Sequence, residues 1–446
     1  MSLSRRLAWT GALLLGLMSF AYGYLSRATG LFPDRLLSGS LGPKTRRTAA
    51  PAPAAAAPGA AKSAEQRERD ERLMAVGYAA GYSAPFERSG VVTHDKARAS
   101  PGLNLVVSGH EPSAFLMDMD GKVRHRWAKT FREAWPARQL EASEQYRSRH
   151  WKRVYLYPNG DLLALFEGIG LIKLDRDSKV LWTYWDSVHH DLDVDPAGNI
   201  LVLVWRQQTL AGSNPQRQVL ADNIVFLNPA GQRTRGIAVL SALEASRWGA
   251  LVRFPHGTGT DILHTNTLSL LDGRHERTLP AFRRGNLLVA LRNLDLIGVI
   301  DPEKGQFVWG LAGMWHQPHE PALLPNGHLL VFDNYGRRSG EGHRSLAVEV
   351  DPVTQEVVWS FGGEPEFFSK VVGMVQRLPN GNTLVTSSTE ARVLEVTNGG
   401  ELVWEFRNPH QVVEDDQKKA ATLFEVVRIP AARVAWLPPE PKGAQP

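Results

Sequence analysis

"LPNGHLLVFDN" (Leu324–Asn334) returns further along the chain as "LPNGNTLVTSS" (Leu378–Ser388). Each copy opens on a Pro-Asn-Gly turn and continues into an apolar run, Leu329 to Phe332 in the first, as a short hairpin strand does. Working outward, each is followed by a second strand, another turn and a strand ending in an aromatic residue. The same sentence is written in "GLNLVVSGHEPSAFLMDMDGKVRHRW" (Gly102–Trp127), in "YPNGDLLALFEGIGLIKLDRDSKVLWTY" (Tyr157–Tyr184) and in "GNLLVALRNLDLIGVIDPEKGQFVWGL" (Gly285–Leu311). It is also written in "DPAGNILVLVW" (Asp195–Trp205) continued by "NIVFLNPAGQRTRGIAVL" (Asn223–Leu240). With the two "LPNG" copies this makes six. Alternating apolar runs between Gly, Asn, Asp and Pro turns indicate antiparallel strands, and repeats that each supply several strands indicate a propeller. The fold class is therefore an all-β, six-bladed β-propeller. Trp127, Trp182, Trp309, Trp359 and Trp404 recur at one repeat position and are expected to pack between blades. "LFEVVRIP" (Leu423–Pro430) is expected to return to the first blade and close the ring.

The totals fit this architecture. The chain has 446 residues, 43% hydrophobic and 22% charged, enough for a large core. Net charge is only +5, and no basic face interleaved with aromatics is visible, so nucleic acid is not an expected partner. The absence of cysteine excludes thiolate metal sites, cysteine nucleophiles and disulfides. At the N-terminus, Arg5 and Arg6 precede an uncharged, mostly apolar run from Leu7 to Leu25, close to the length a spanning helix needs. A signal-anchor helix is preferred over a cleaved signal peptide because the run is long for a signal core; either implies export. The expected organisation is an anchor or signal over 1–26, an Ala/Pro-rich then charged linker over 27–100, the propeller over 101–430 with its first strand near Gly102, and a tail over 431–446.

Three successive copies carry polar residues just before their first strand: His189 and His190 in "VHHDLDVDPAGN", His264 and Asn266 in "DILHTNTLSLL", His316 and His319 in "HQPHEPALLPNG". Innermost propeller strands line the central channel, so equivalent starting points on adjacent blades converge at its mouth. Arg292, after the strand Leu287–Leu291, can reach the same space. Three imidazoles can bind zinc, but a guanidinium beside the cation would oppose it. Arg, His and Asn together suit an anion with charge developing on oxygen, transferred to or from a neutral imidazole. A non-catalytic scaffold or ligand-binding propeller has no need of this set, and the fold alone does not decide between them.

In order and spacing, "HHD", "HTN" with the following "LR", and the His-acid pair before "LPNG" with "FDN" after it resemble the bacterial arylsulfate sulfotransferases, over roughly His189 to Phe406. The resemblance implies a periplasmic propeller that moves a sulfuryl group from an aryl sulfate donor to a phenolic acceptor. It implies a sulfohistidine intermediate, and neither a nucleotide sulfate donor, a cofactor nor a metal. It makes His319 the sulfurylated residue and places His264, Asn266 and Arg292 on the sulfuryl oxygens. The family's remaining histidine falls on His190, which shares the spacing of His319 to the repeat's turn glycine. His190 or His264 would handle the phenol proton, while Glu320 either orients His319 or sits solvated at the rim, and His316 is read as peripheral. The chain is shorter than familiar members and has an Ala/Pro spacer where they carry a separate β-domain, so it resembles a divergent, membrane-anchored branch on the periplasmic side of the inner membrane.

Overall fold

The structure is a computed structural model that describes residues 84–438 apart from 211–217, 254–259, 340–341, 363–366 and 415. The expected anchor or signal (1–26), most of the linker and the end of the tail lie outside the described residues. Among the described residues no helix is long and apolar enough to cross a membrane.

Six four-stranded antiparallel units form the ring. Blade 1 contains Leu103–Ser108, Ser113–Met117 and Val123–Ala128, and its innermost strand is Leu423–Ile429 from the far end of the chain. The expected closure is therefore present, with Leu103 paired to Ile429. Blade 2 runs through Arg153–Leu156, Leu162–Phe166, Gly170–Leu174 and Val180–Trp185, and blade 3 through Val188–Val194, Ile200–Thr209, Gln218–Leu227 and Arg233–Ala238. Blade 4 is Thr265–Leu270, Leu287–Leu291, Leu296–Asp301 and Gln306–Ala312; blade 5 is Pro318–Leu323, Leu329–Ser339, Gly342–Val350 and Val357–Phe361. Blade 6 is Met374–Arg377, Thr383–Ser387, Arg392–Val396 and Leu402–Arg407. Gly90–His94 adds a fifth, outer strand to blade 6, so the sheet takes in residues before the expected start near Gly102.

The second strands explain the sequence pattern. Every residue of Leu162–Phe166 and Leu287–Leu291 is buried, because a middle strand is covered by the neighbouring blade on each face. The "LPNG" turns place Gly327 and Gly381 at φ +91° and +89°, where a side chain would be strained. The repeated tryptophans join blades as expected. Trp127 donates to Gly160 O of blade 2 and Trp404 to Met119 O of blade 1, at 3.1 and 2.9 Å, and Trp359 reaches Asn398 O at 2.8 Å.

Around the channel the first strands of adjacent blades splay and leave backbone N–H groups without a ladder partner. Buried carboxylates take their place. Glu425 accepts from Val154 N–H, Asp191 from Leu268 N–H and Asp222 from Thr265 N–H, at 2.7 to 2.8 Å.

Candidate active site

The site is built where first strands begin. In blade 5, His319 pairs with Phe332, yet the next register pair is Ala322 with Leu330, so the first strand carries an extra residue. Glu320 occupies that bulge at φ +50°. His190, His264 and Gln317 are also left-handed, at +54°, +53° and +57°. Such backbone is costly for non-glycine residues and persists only where the surroundings enforce it. Here a side-chain oxygen catches each N–H: Thr267 for Glu320 (3.0 Å), Glu167 for His190 (2.9 Å), Asp261 for His264 (3.0 Å) and Asp295 for Gln317 (2.7 Å).

His319 is 5% exposed. Its Nδ1 lies 2.6 Å from Asn334 Oδ1 and 3.1 Å from Gln317 O. Asn334 donates its amide hydrogens to Ser369 O and Val372 O, at 2.7 and 2.6 Å, so its oxygen can only accept. Nδ1 of His319 therefore carries the proton, and Nε2 holds the lone pair. Burial first, then the charges at Arg292 and His264, keep its pKa well below 6.5 and the ring neutral.

The other expected residues surround it. Arg292 is buried and donates to Gln317 Oε1 at 2.7 Å and Asn293 Oδ1 at 2.9 Å. His264 donates Nδ1–H to Asp261 Oδ2 at 2.5 Å, which turns Nε2 the other way. The His190 ring lies edge-on to His264, with centroids 4.7 Å apart. His189 is instead buried against Trp205, stacked at 4.6 Å, so His190 is the member of "HHD" that meets His264. Asn266 is committed in part elsewhere: one amide hydrogen goes to Pro318 O at 2.9 Å, bracing the backbone one residue before His319. His316 is peripheral, its ring 57% exposed and hydrogen-bonded to Asp295 at 2.8 Å.

Glu320 takes neither expected position. It reaches across the channel floor to Arg153 of blade 2, which also bonds Asp191 of blade 3 at 2.7 Å and approaches Glu425 of the closing strand at 3.7 Å. Burial pushes the Glu320 and Glu425 carboxyls up to about 7, against the pull of Arg153. One guanidinium thus ties blades 1, 2, 3 and 5 beneath the histidines. Removing one partner of such a buried ionic set leaves uncompensated charge and costs about 3–5 kcal/mol.

Sequence reasoning gave Asn334 no role although "FDN" was part of the motif, and it passed over Lys152 and Arg153. Their signal was the spacing to Gly160, which matches the spacing of His319 and Glu320 to Gly327. Among the described residues, Glu167, His189 and His190 are the group whose donor atoms converge, within 4.8 Å of one another, closely enough to chelate a cation. A cleft of about 590 Å³ between blades 3 and 4 is lined by Asp193, Asp195, Arg235 and Arg284 at the turn end of the blades. It contains none of the histidines and belongs to the opposite face.

A neutral, tautomer-locked imidazole beside a guanidinium has the chemistry to accept a group from an anion. The model of the arylsulfotransferase (ASST) family matches residues 152–409, more than half of the sequence, and the chain belongs to that family. No curated relative matches the sequence. Solved structures similar to it include a protein of unknown function from Bacteroides caccae (17% identity, 69% of this chain and 94% of that one, TM-score 0.44). Others are virginiamycin B lyase from Staphylococcus aureus (12%, 58% and 69%, 0.34) and the WD40 β-propeller domain of Doa1 (11%, 79% and 98%, 0.40). At these values they say nothing of activity, and the blade count rests on the strand pairing.

Proposed function

We propose that the protein transfers a sulfuryl group from an aryl sulfate to a phenolic acceptor through a sulfohistidine at His319, without a nucleotide sulfate donor. The observation that carries this reading is the Asn334–His319 hydrogen bond, which leaves the Nε2 lone pair available on a ring kept neutral. Nε2 attacks sulfur in line, the N–S bond forms, and the S–O bond breaks with its electron pair on the departing phenolate. Arg292 and His264 receive the charge on the sulfuryl oxygens. The second amide hydrogen of Asn266 faces the same task, while the first holds the strand. An acceptor phenol then takes the group from nitrogen and restores the imidazole. Export through the N-terminal segment, and its retention as an anchor on the periplasmic side, belong to the same proposal and are supported by the Arg5-Arg6 and apolar pattern.

The test is an intact-mass measurement with an aryl sulfate and no acceptor. One sulfuryl group should appear on His319, kinetics with both substrates should be ping-pong, and His319→Asn should abolish adduct and turnover together. Turnover that survives in folded His319→Asn would end this reading.

A further inference from the structure

Lys152 is a buried cation at the channel mouth, 7% exposed. Its ammonium stands over the Phe424 ring, 4.6 Å from the centroid, rather than on a carboxylate. Its place in the ring follows from register. Lys152 N–H donates to Leu165 O, and Leu165 is the fifth residue after the turn glycine Gly160. His319 pairs with Phe332, the fifth residue after Gly327. Strand pairing sets Arg153 opposite Leu165, so Lys152 stands one residue before that pair; counted from the turn glycine, it lies as far ahead of Gly160 as His319 lies ahead of Gly327.

Blades 2 and 5 face each other across a six-membered ring. The residues that follow, Arg153 and Glu320, meet in an ion pair across the channel floor. Lys152 and His319 thus occupy opposite walls just above that pair. His190, on blade 3, feels both: burial first, then the charges at His264, His189, Lys152 and His319, hold its pKa well below 6.5.

In-line transfer places nucleophile and leaving oxygen on opposite sides of sulfur. With His319 on the blade 5 wall, the phenolate departs toward blade 2. The histidines of blades 3 and 4 flank that line, and each has one ring nitrogen engaged, His264 by Asp261 and His190 by His189 and Glu167. We infer that Lys152 is the catalytic group at the leaving-group end, its ammonium protonating the departing phenolate oxygen and its neutral amine then deprotonating the incoming phenol. This rests on the sulfotransferase reading above. As the S–O pair moves onto the aryl oxygen, one Nζ proton follows it; the acceptor's proton restores the ammonium as its oxygen takes sulfur from nitrogen. An ordinary lysine holds its proton about as tightly as a phenol does. Burial, and then the charge of Arg153 against those of Glu167 and Glu320, lower Lys152 from 10.5, which eases proton release.

The experiment compares full-length wild type, Lys152→Met and Lys152→Arg on three donors: p-nitrophenyl, phenyl and 4-methylphenyl sulfate. p-Nitrophenolate leaves without help, so Lys152→Met should lose less than about tenfold there and about 10³-fold on phenyl and 4-methylphenyl sulfate. Lys152→Arg should track Lys152→Met on the poor donors, since a guanidinium keeps its proton. Equal losses on all three donors, or no loss, would overturn the assignment while leaving His319 sulfurylation standing. Wild type that transfers from none of the three would instead remove the sulfotransferase reading itself. If Lys152→Met does not fold, Lys152→Arg, which keeps the charge, carries the same comparison.

Discussion

Blades 5 and 6 begin from nearly the same text, "LPNGHLLVFDN" and "LPNGNTLVTSS", and only blade 5 carries the proposed nucleophile. Aligned on their turn glycines, His319 stands opposite Gly373 and Asn334 opposite Ser388. The first strand of blade 5 is bulged, whereas Met374–Arg377 of blade 6 pairs without interruption. The missing side chain at Gly373 also has a use. Its φ is +130°, and a Cβ there would lie 2.3 Å from the ring of Phe332, the residue that pairs with His319. Blade 6 is hollowed there to receive the core of blade 5. Blade 5 differs from its neighbour here by one bulge and two side chains, on a skeleton the two share.

That contrast can be broken from outside blade 5 or from within it. Arg292 reaches it from blade 4 through Gln317. Arg292→Lys keeps the charge and loses the planar fork, so kcat/KM should fall by about 10²-fold or more. Near wild-type rates would reduce Arg292 to a brace for Gln317. Asn334→Ser writes the blade 6 residue into blade 5, removes the lock on the His319 tautomer, strips Val372 O of the Asn334 donor and leaves Ser369 O only its longer bond from the Ser345 hydroxyl. A loss of about 10–100-fold in kcat/KM is expected, together with about 1–3 kcal/mol of stability in urea unfolding. Unchanged turnover would place the tautomer control elsewhere.

A pH profile sharpens the same point. An imidazole at its ordinary pKa would lose nucleophilicity as pH falls through 6.5, because protonation occupies the attacking lone pair. His319 is held well below that value, so no acid limb assigned to it should appear near 6.5. A limb centred at 6.5 that vanishes in no other histidine variant would contradict the burial described for the ring. The smallest effect on catalysis should come from Gly373→Ala, which drives Cβ into Phe332. It should cost about 1–3 kcal/mol of stability and change turnover per folded molecule less than either substitution above.

The ring was legible because a blade is a local unit: its turns, apolar strands and tryptophan recur within one stretch of chain. Gly90–His94 was not, since its partner Leu402–Arg407 lies at the other end of the sequence and no repeat announces it. The histidine offset was legible for the same local reason. What Asn334 does was not, because its meaning comes from two carbonyls on the connection into blade 6. Glu320 was misplaced because its partner Arg153 belongs to the blade opposite, a relation that a periodicity does not contain.

Closing blade 1 with Leu423–Ile429 also sets an order of events during synthesis. The blade holding His319 is complete long before the last strand leaves the ribosome. Until then Leu103–Ser108 presents an open inner edge, the kind of surface on which unfinished sheets aggregate. Glu425, one of the carboxylates on Arg153, arrives with that strand, so the floor beneath His319 is assembled last. Pairing Leu103 with Ile429 spans nearly the whole ring in sequence, a slow, non-local step. A nascent chain arrested before Leu423 would carry every histidine of the site and still require a chaperone rather than a substrate.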